Sequence, residues 1–312
     1  MSFTTSSAFD NSMKSSPPVS NVNTLYVGGN GTGNYTKIQD AIDNASDGDT
    51  VFVFDDSSPY YEYIVISKRI NLTGENKETT IIVGNWSRKF IPVVILNAYS
   101  SFVTIQGFII TNGYCGIDIE SDNNKITGNI ISNNTNGVGL YYCCNNTILG
   151  NNISSNSEYG VKLVLLSNYN IIQNNNIQNN YIGISLAELC LYNIIMGNNI
   201  SKNSYESIIL GVSHENIIES NYIENIKILG SGNLIRKNNF IGNIKHVQGA
   251  VGRNFWDANY WGDWIGLKFN LPIFQKFPKI ILCWILPLGV IFNIPYFCFD
   301  WHPAKEPYEL EV

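Results

Sequence analysis

Asp118 and Glu120 are the residues of this 312-residue chain best placed to do chemistry. Side chains two apart on an extended segment share a face, so the two carboxylates project together. Asp122 follows them, and Lys162 reaches the same face from a later segment. Such a set could hold a cation, with Ca²⁺ the one that oxygen ligands suit, or the hydroxyls of a sugar. An acid and a base roughly 6.5 to 9.5 Å apart would suit an inverting glycoside hydrolase, and carboxylates around Ca²⁺ with a basic proton acceptor would suit a lyase. The plainer expectation is a solvated strand face, and no catalytic residue is assigned.

Other reactive types are more scattered. His214, Glu215, Glu219 and Glu224 form a loose polar set with no repeat to bring a second acid into phase. Trp256, Tyr260 and Trp261 are either an aromatic platform for stacking on sugars or part of a buried cap, since both uses suit large rings. Copper handling would call for clustered His, Cys or Met. The chain's three His and three Met are dispersed, so no metal site is assigned. Cys143 and Cys144 are adjacent, and Cys190 falls at the turn phase of Cys144, two repeats away. That separation is too long for a disulfide, and both thiols are expected free.

The elements that position these residues follow from a repeat. Ile126, Ile148, Ile172, Ile195, Ile218 and Ile235 recur at steps of 22, 24, 23, 23 and 17 residues. Three residues past each stands Asn129, Asn151, Asn175, Asn198, Asn221 or Asn238, and five past stands Ile131, Ile153, Ile177, Ile200, Ile223 or Phe240. A further Asn at 134, 156, 180, 203 and 243 keeps the same phase. Short alternating strands then open on a small residue: Gly116-Ile-Asp-Ile, Gly137-Val-Gly-Leu, Gly160-Val-Lys-Leu, Gly183-Ile-Ser-Leu and Ser207-Ile-Ile-Leu. Three strands per repeat, each too short to bury its own face, are stable only when the next coil stacks about 4.8 Å away. The pattern predicts a single-stranded solenoid, a right-handed parallel β-helix of about nine coils. Asn is expected at its corners because it tolerates the left-handed conformation and can form hydrogen-bonded ladders.

Both ends of a solenoid need covering. Residues 1–23 read as a disordered tail without the features of a signal peptide. Residues 24–50 read as an N-terminal cap with an amphipathic helix, in which Ile38, Ala41, Ile42 and Ala45 share a face, Asn34 is the N-cap and Gly48 closes the turn. The β-helix is expected over 51–254, with Val51 to Phe54 its first strand, and an aromatic C-terminal cap over 255–312. The apolar run 280–299 is broken by Pro287, Gly289, Asn293 and Pro295, and is expected to be strand-turn-strand rather than a membrane span.

Composition narrows the partners. With 44% hydrophobic and 14% charged residues the chain can bury a full core, and a net charge of −6 without basic clusters excludes a nucleic-acid or anionic-membrane footprint. The segment TLYVGGNGTGNYTKIQDAIDNASDGDTVFV, then PYYEYIVISKRINLTGENKETTII, closely resembles the opening module of NosD-like proteins, also described as CASH (carbohydrate-binding and sugar-hydrolysis) β-helices. The Asn/Ile coils of residues 101–243 resemble that family's repeats, and NYWGDW through FDWHPAKEPYEL resembles the closing segment of archaeal members. The resemblance implies an exported, extracellular or cell-surface protein that binds or scaffolds, with a polysaccharide or surface glycan as the partner. It implies two alternatives: a polysaccharide lyase or glycoside hydrolase working on the outward face of the helix through Asp118, Glu120 and Lys162, and a copper-maturation accessory protein.

Overall fold

A computed structural model describes residues 22–85, 90–241, 247–248, 253–262, 279–285, 294–300 and 302–309. Its strands, among the described residues, form three parallel sheets of thirteen, ten and nine strands, here sheets A, B and C. Each turn of chain contributes one strand to each sheet in the order A, B, C, which is the predicted right-handed parallel β-helix, with about ten turns. Isoleucine makes this work because a β-branched side chain packs well on a pleated face. In sheet A, Ile105, Ile126, Ile148, Ile172, Ile195, Ile218 and Ile235 stack in register and end on Trp256. In sheet B the matching column runs from Ile110 through Ile223 to Phe240 and Trp261. Sheet C closes the core with columns that begin at Ile64 and Ile66 and run through Ile117 and Ile119.

The asparagines do more than round the corners. Asn129, Asn151, Asn175, Asn198, Asn221, Asn238 and Asn259 are buried; Asn129 accepts from the Phe108 N–H, and each later one accepts from the backbone N–H and the carboxamide of the Asn before it. Contrary to expectation, the ladder residue is not itself left-handed. The residue before it is: Gly128, Gly150, Asn174, Gly197, Ser220 and Lys237 hold φ from 53° to 66°. One left-handed step turns the chain at the corner, and the following carboxamide then satisfies the backbone groups that the corner leaves unpaired. A second ladder runs Asn134, Asn156, Asn180, Asn203. A third, at Asn124, Asn146, Asn170, Asn193, Asn216, Asn233 and Asn254, was not anticipated.

The ends differ from the reading above in detail. Thr24–Val27 pairs with Thr50–Val53, so sheet A begins one strand earlier than Val51. The helix spans Ile38–Asn44 and buries Ile38, Ala41 and Ile42. Its N-cap position is Lys37, with no side-chain cap; Asn34 instead donates to the Gly28 carbonyl. The Glu62 carboxylate accepts from the Ile38 and Gln39 N–H groups, and Lys68 donates to the Ile42, Asp43 and Ala45 carbonyls. Both partners suit the sign of the helix end they meet. Gln39 exchanges two hydrogen bonds with the Val65 backbone, covering the edge of sheet C as another strand would.

At the other end the repeat does not stop at Asn254. Phe255–Asp257 and Tyr260–Trp261 add another strand to sheets A and B. Lys279–Ile285 and Ile294–Asp300 pair antiparallel beyond them, two strands as expected, while the turn expected at 286–293 lies outside the described residues; no helix among the described residues is long and apolar enough to cross a membrane. Asp300 is buried and stands where the next ladder Asn would be, accepting from the Asn259 N–H, the Asn259 carboxamide and the Trp261 indole. The 17-residue step after Ile218 shortens the B-to-C corner, where Ile223 leads almost directly to Ile226.

Candidate functional site

The register of sheet C places Asp118 beside Gly139, then Lys162, Ser185 and Ile209 on successive coils. These positions face outward. Flanking columns on the same face begin at Cys115, followed by Asn136, Tyr159, Ile182 and Glu206, and at Glu120, followed by Tyr141 and Val164. Cys115, Val164 and Ile182 are buried yet lie outside the hydrophobic core, so this outward face has a covered floor of its own.

Glycine shapes the carboxylate end. At Gly139 an added Cβ would stand 2.6 Å from the Tyr141 ring, so the ring lies across the bare backbone beside Asp118. Burial first, then the charge of Glu120, pushes the Asp118 carboxyl up to about 7. Its Oδ1 is buried without a hydrogen-bond partner. Burial raises the Tyr141 and Tyr63 hydroxyls too, with the Asp118 charge adding to both. Tyr63 also lines a surface pocket of about 420 Å³ with Tyr61, Pro92 and Asn112, so an open cavity adjoins the carboxylate pair. Lys162 extends its ammonium 4.7 Å over the Tyr159 ring. Three coils above Asn136, Glu206 is fully buried, neither carboxyl oxygen has a partner, and burial raises its pKa to about 7 against the opposing pull of Lys227. The Asn136 carboxamide is likewise buried and unpartnered at both ends. A buried polar atom without a partner is rare in a native fold, and these lie on one face.

Other predicted residues are used elsewhere. Asp122 does not join the pair to make a three-carboxylate site; it accepts from the Cys144 N–H at 2.6 Å. His214 shares a hydrogen with Ser231, Glu219 pairs with Arg236 and Lys237, and Glu224 accepts from the Lys202 N–H, so that set is spent on contacts between coils. Trp256 and Trp261 are corrected from platform to core. They are 5% and 2% exposed, and Trp261 stacks on Phe240 at 4.2 Å, so neither offers a face to a sugar. Tyr260, between them, is half-buried. Surface pairs Tyr169–Tyr192 and Tyr181–Tyr205 stack at 5.1 and 5.2 Å, turning their faces to each other. Cys143, not Cys144, shares the turn phase of Ser167 and Cys190, because the Leu165–Leu166 and Glu188–Leu189 turns each carry one residue more than the turn at Tyr142. Cys115, Cys143, Cys144 and Cys190 are free.

The family model described as periplasmic copper-binding protein (NosD) matches residues 42–266. The chain belongs to the NosD family. No curated protein sequence matches it. Among solved structures it is similar to pectate lyase Pel9A, with 14% identity, a TM-score of 0.57, and 78% of this chain and 72% of that one covered. It is similar to ORF18 of Geobacillus virus E2 at 16% identity and a TM-score of 0.55, covering 72% of this chain and 52% of the viral one. The Dettilon tailspike protein matches at 15% identity and a TM-score of 0.53, over 75% of this chain and 66% of that one. The chain therefore spans about half the length of the viral protein, and at these identities the likeness is of fold alone.

The NosD description raises copper, and the donor set tests it. Among the described residues no three His, Cys, Asp or Glu side chains come together. Burial raises the thiol pKa of Cys115, of Cys143 to about 12, and of Cys190 to about 11, which disfavours the thiolates a soft metal needs. His302 is engaged with Asp257 at 2.7 Å. The described residues do not fit a copper site.

Proposed function

We propose that this NosD-family chain is an extracytoplasmic binding protein that receives a glycan along the outward face of sheet C. The observation that carries the reading is the polar outward face of sheet C, where the exposed Glu120 and the partly exposed Asp118, Tyr141, Tyr159 and Lys162 lie on successive coils. Sugar hydroxyls both donate and accept and sugar rings stack on aromatic ones, so a chain laid across the coils would meet carboxylate, ammonium and aromatic groups together. The pocket at Tyr61 and Tyr63 adds a recess at one end. The periplasmic description of the family supports a place outside the cytoplasm.

A glycan array probed with the intact protein tests the reading. Retention on at least one polysaccharide is expected, weakened roughly tenfold by Lys162→Ala with the melting temperature monitored in parallel. Retention unchanged in that variant would move the site off sheet C.

The second reading is enzymatic, favoured by Asp118, whose near-neutral carboxyl suits a general acid. Reducing-end and unsaturated-product assays with and without Ca²⁺ separate the two: turnover abolished by Asp118→Asn would establish a hydrolase or lyase.

A further inference from the structure

We infer that the outward face of sheet A over the later coils, with the corner beside it, is an interface on which a second copy of this chain docks side by side. The column one residue before the core isoleucines changes character along the solenoid. It reads Asn71, Thr104, Lys125 and Thr147 on earlier coils, then Ile171, Ile194, Ile217, Leu234 and Phe255 on later ones, all in register. These side chains point away from the core because their strand neighbours point into it. Sheet B supplies the comparison. Its outward column on the coils of Ile171, Ile194 and Ile217 is Asn176, Asn199 and Tyr222. The strands are equally short and equally pleated, so the solenoid itself does not require isoleucine on the outside of sheet A.

The apolar surface continues round the corner between sheets C and A. Tyr142, Leu166, Leu189 and Val212 stand there on four successive coils, 46 to 65% exposed. Tyr169 and Tyr192 lie between them and the isoleucines, also exposed. Both are left-handed, with φ 57°, at a corner position that Asn123, Asn145 and Gly232 fill on other coils. Asn or Gly holds that backbone at less cost than a large ring, so the tyrosines answer to something outside the coil. Together these side chains expose roughly 800 Å², above the roughly 300 to 600 Å² of an ordinary monomer's largest apolar patch and equal to what each partner of a standard interface buries.

A second copy suits this face. Its columns repeat at the coil spacing of about 4.8 Å, so two such faces present ridges of one period and can interdigitate as the sheets of a sandwich do. On the sheet face between Ile171 and Leu234 the carboxylate of Glu219 is already matched, by Arg236 at 2.7 Å and Lys237 at 3.6 Å. Two copies related by a two-fold axis therefore do not bring bare like charges together there. Glu188 and Glu215 are exposed at the rim, where water reaches them.

Sedimentation velocity of the full chain between about 1 and 100 μM tests this, and a concentration-dependent dimer is expected. The pair Ile194→Thr, Ile217→Thr installs the residue that the same column uses at Thr104 and Thr147, so the fold is kept. It should raise the dissociation constant at least about tenfold with the circular dichroism spectrum unchanged. Tyr169→Asn with Tyr192→Asn, matching Asn123 and Asn145, makes the same test at the corner. Asn176→Thr with Asn199→Thr on sheet B should leave the dimer as tight. A monomer at every concentration, as another partner or another stretch of this chain covering the face would give, would overturn the inference. So would a dimer that the isoleucine and tyrosine pairs both leave intact.

Discussion

Asn175 shows what one residue contributes to this fold. Its Oδ1 accepts from the Asn151 N–H and carboxamide, and its Nδ2 donates to the Ile148, Gln173 and Asn198 oxygens, all within 3.1 Å. Replacing it by Ala strands buried groups on two coils, so Asn175→Ala should cost on the order of 3 kcal/mol. Asn176→Ala, which loses a single 3.5 Å contact on the outward side, should stay within about 0.5 kcal/mol of the parent in urea unfolding. Asp118 and Glu206 give a second prediction at this scale. Their carboxyls sit near 7 in the fold against ordinary values of 3.8 and 4.5. The fold therefore holds these protons more tightly than the unfolded chain does. That contribution to stability is fully present below about pH 4 and is lost as pH rises through about 7. The double variant Asp118→Asn, Glu206→Gln should flatten the decline in melting temperature across this window; an unchanged slope would show that neither carboxyl is buried as described.

At the scale of the element, the strand-opening glycines set the spacing between sheets B and C. A Cβ at Gly183 would press on the Ile200 side chain, and the Ser207 carbonyl would lie 2.5 Å away. Gly183→Val should destabilise by about 3 kcal/mol, well beyond Ser185→Val on the outward side of the same strand. Equal unfolding midpoints would mean that the coil register is wrong. This register was legible in the sequence because side chains alternate along a strand and identical residues stack between coils; Asp118, Gly139, Lys162 and Ser185 were aligned from those rules alone. The third ladder escaped notice because Asn is abundant and each member of it from Asn124 to Asn233 lies only two residues before an Ile already used as the marker. The true cap of the helix escaped for another reason. Glu62 is 24 residues from Ile38 and meets it only after a full turn of the solenoid, which local capping rules do not reach. The burial of Asn136 and Glu206 on an outward face carries no sequence signal, since alternation alone marks such positions as exposed.

For the molecule as a whole, the question is how an open-ended solenoid closes its two ends. The helix covers the first coil, and Trp256, Trp261 and Asp300 close the last, with the carboxylate of Asp300 ending the ladder that begins at Asn129. A chain ending at Arg253 loses that coil and exposes the Ile235 and Phe240 positions with their unpaired strand edges. It should elute as aggregates or end-to-end oligomers in size-exclusion chromatography; a folded monomer would refute the capping role of residues 254–309. The lateral surface is where function would lie, and the most direct measurement is a crystal structure of the intact protein with its best-binding oligosaccharide. The account predicts a sugar chain crossing the coils of sheet C, its hydroxyls within hydrogen-bond distance of Glu120 and Lys162. A ligand ordered on sheet A or sheet B, with neither side chain touching it, would contradict the account.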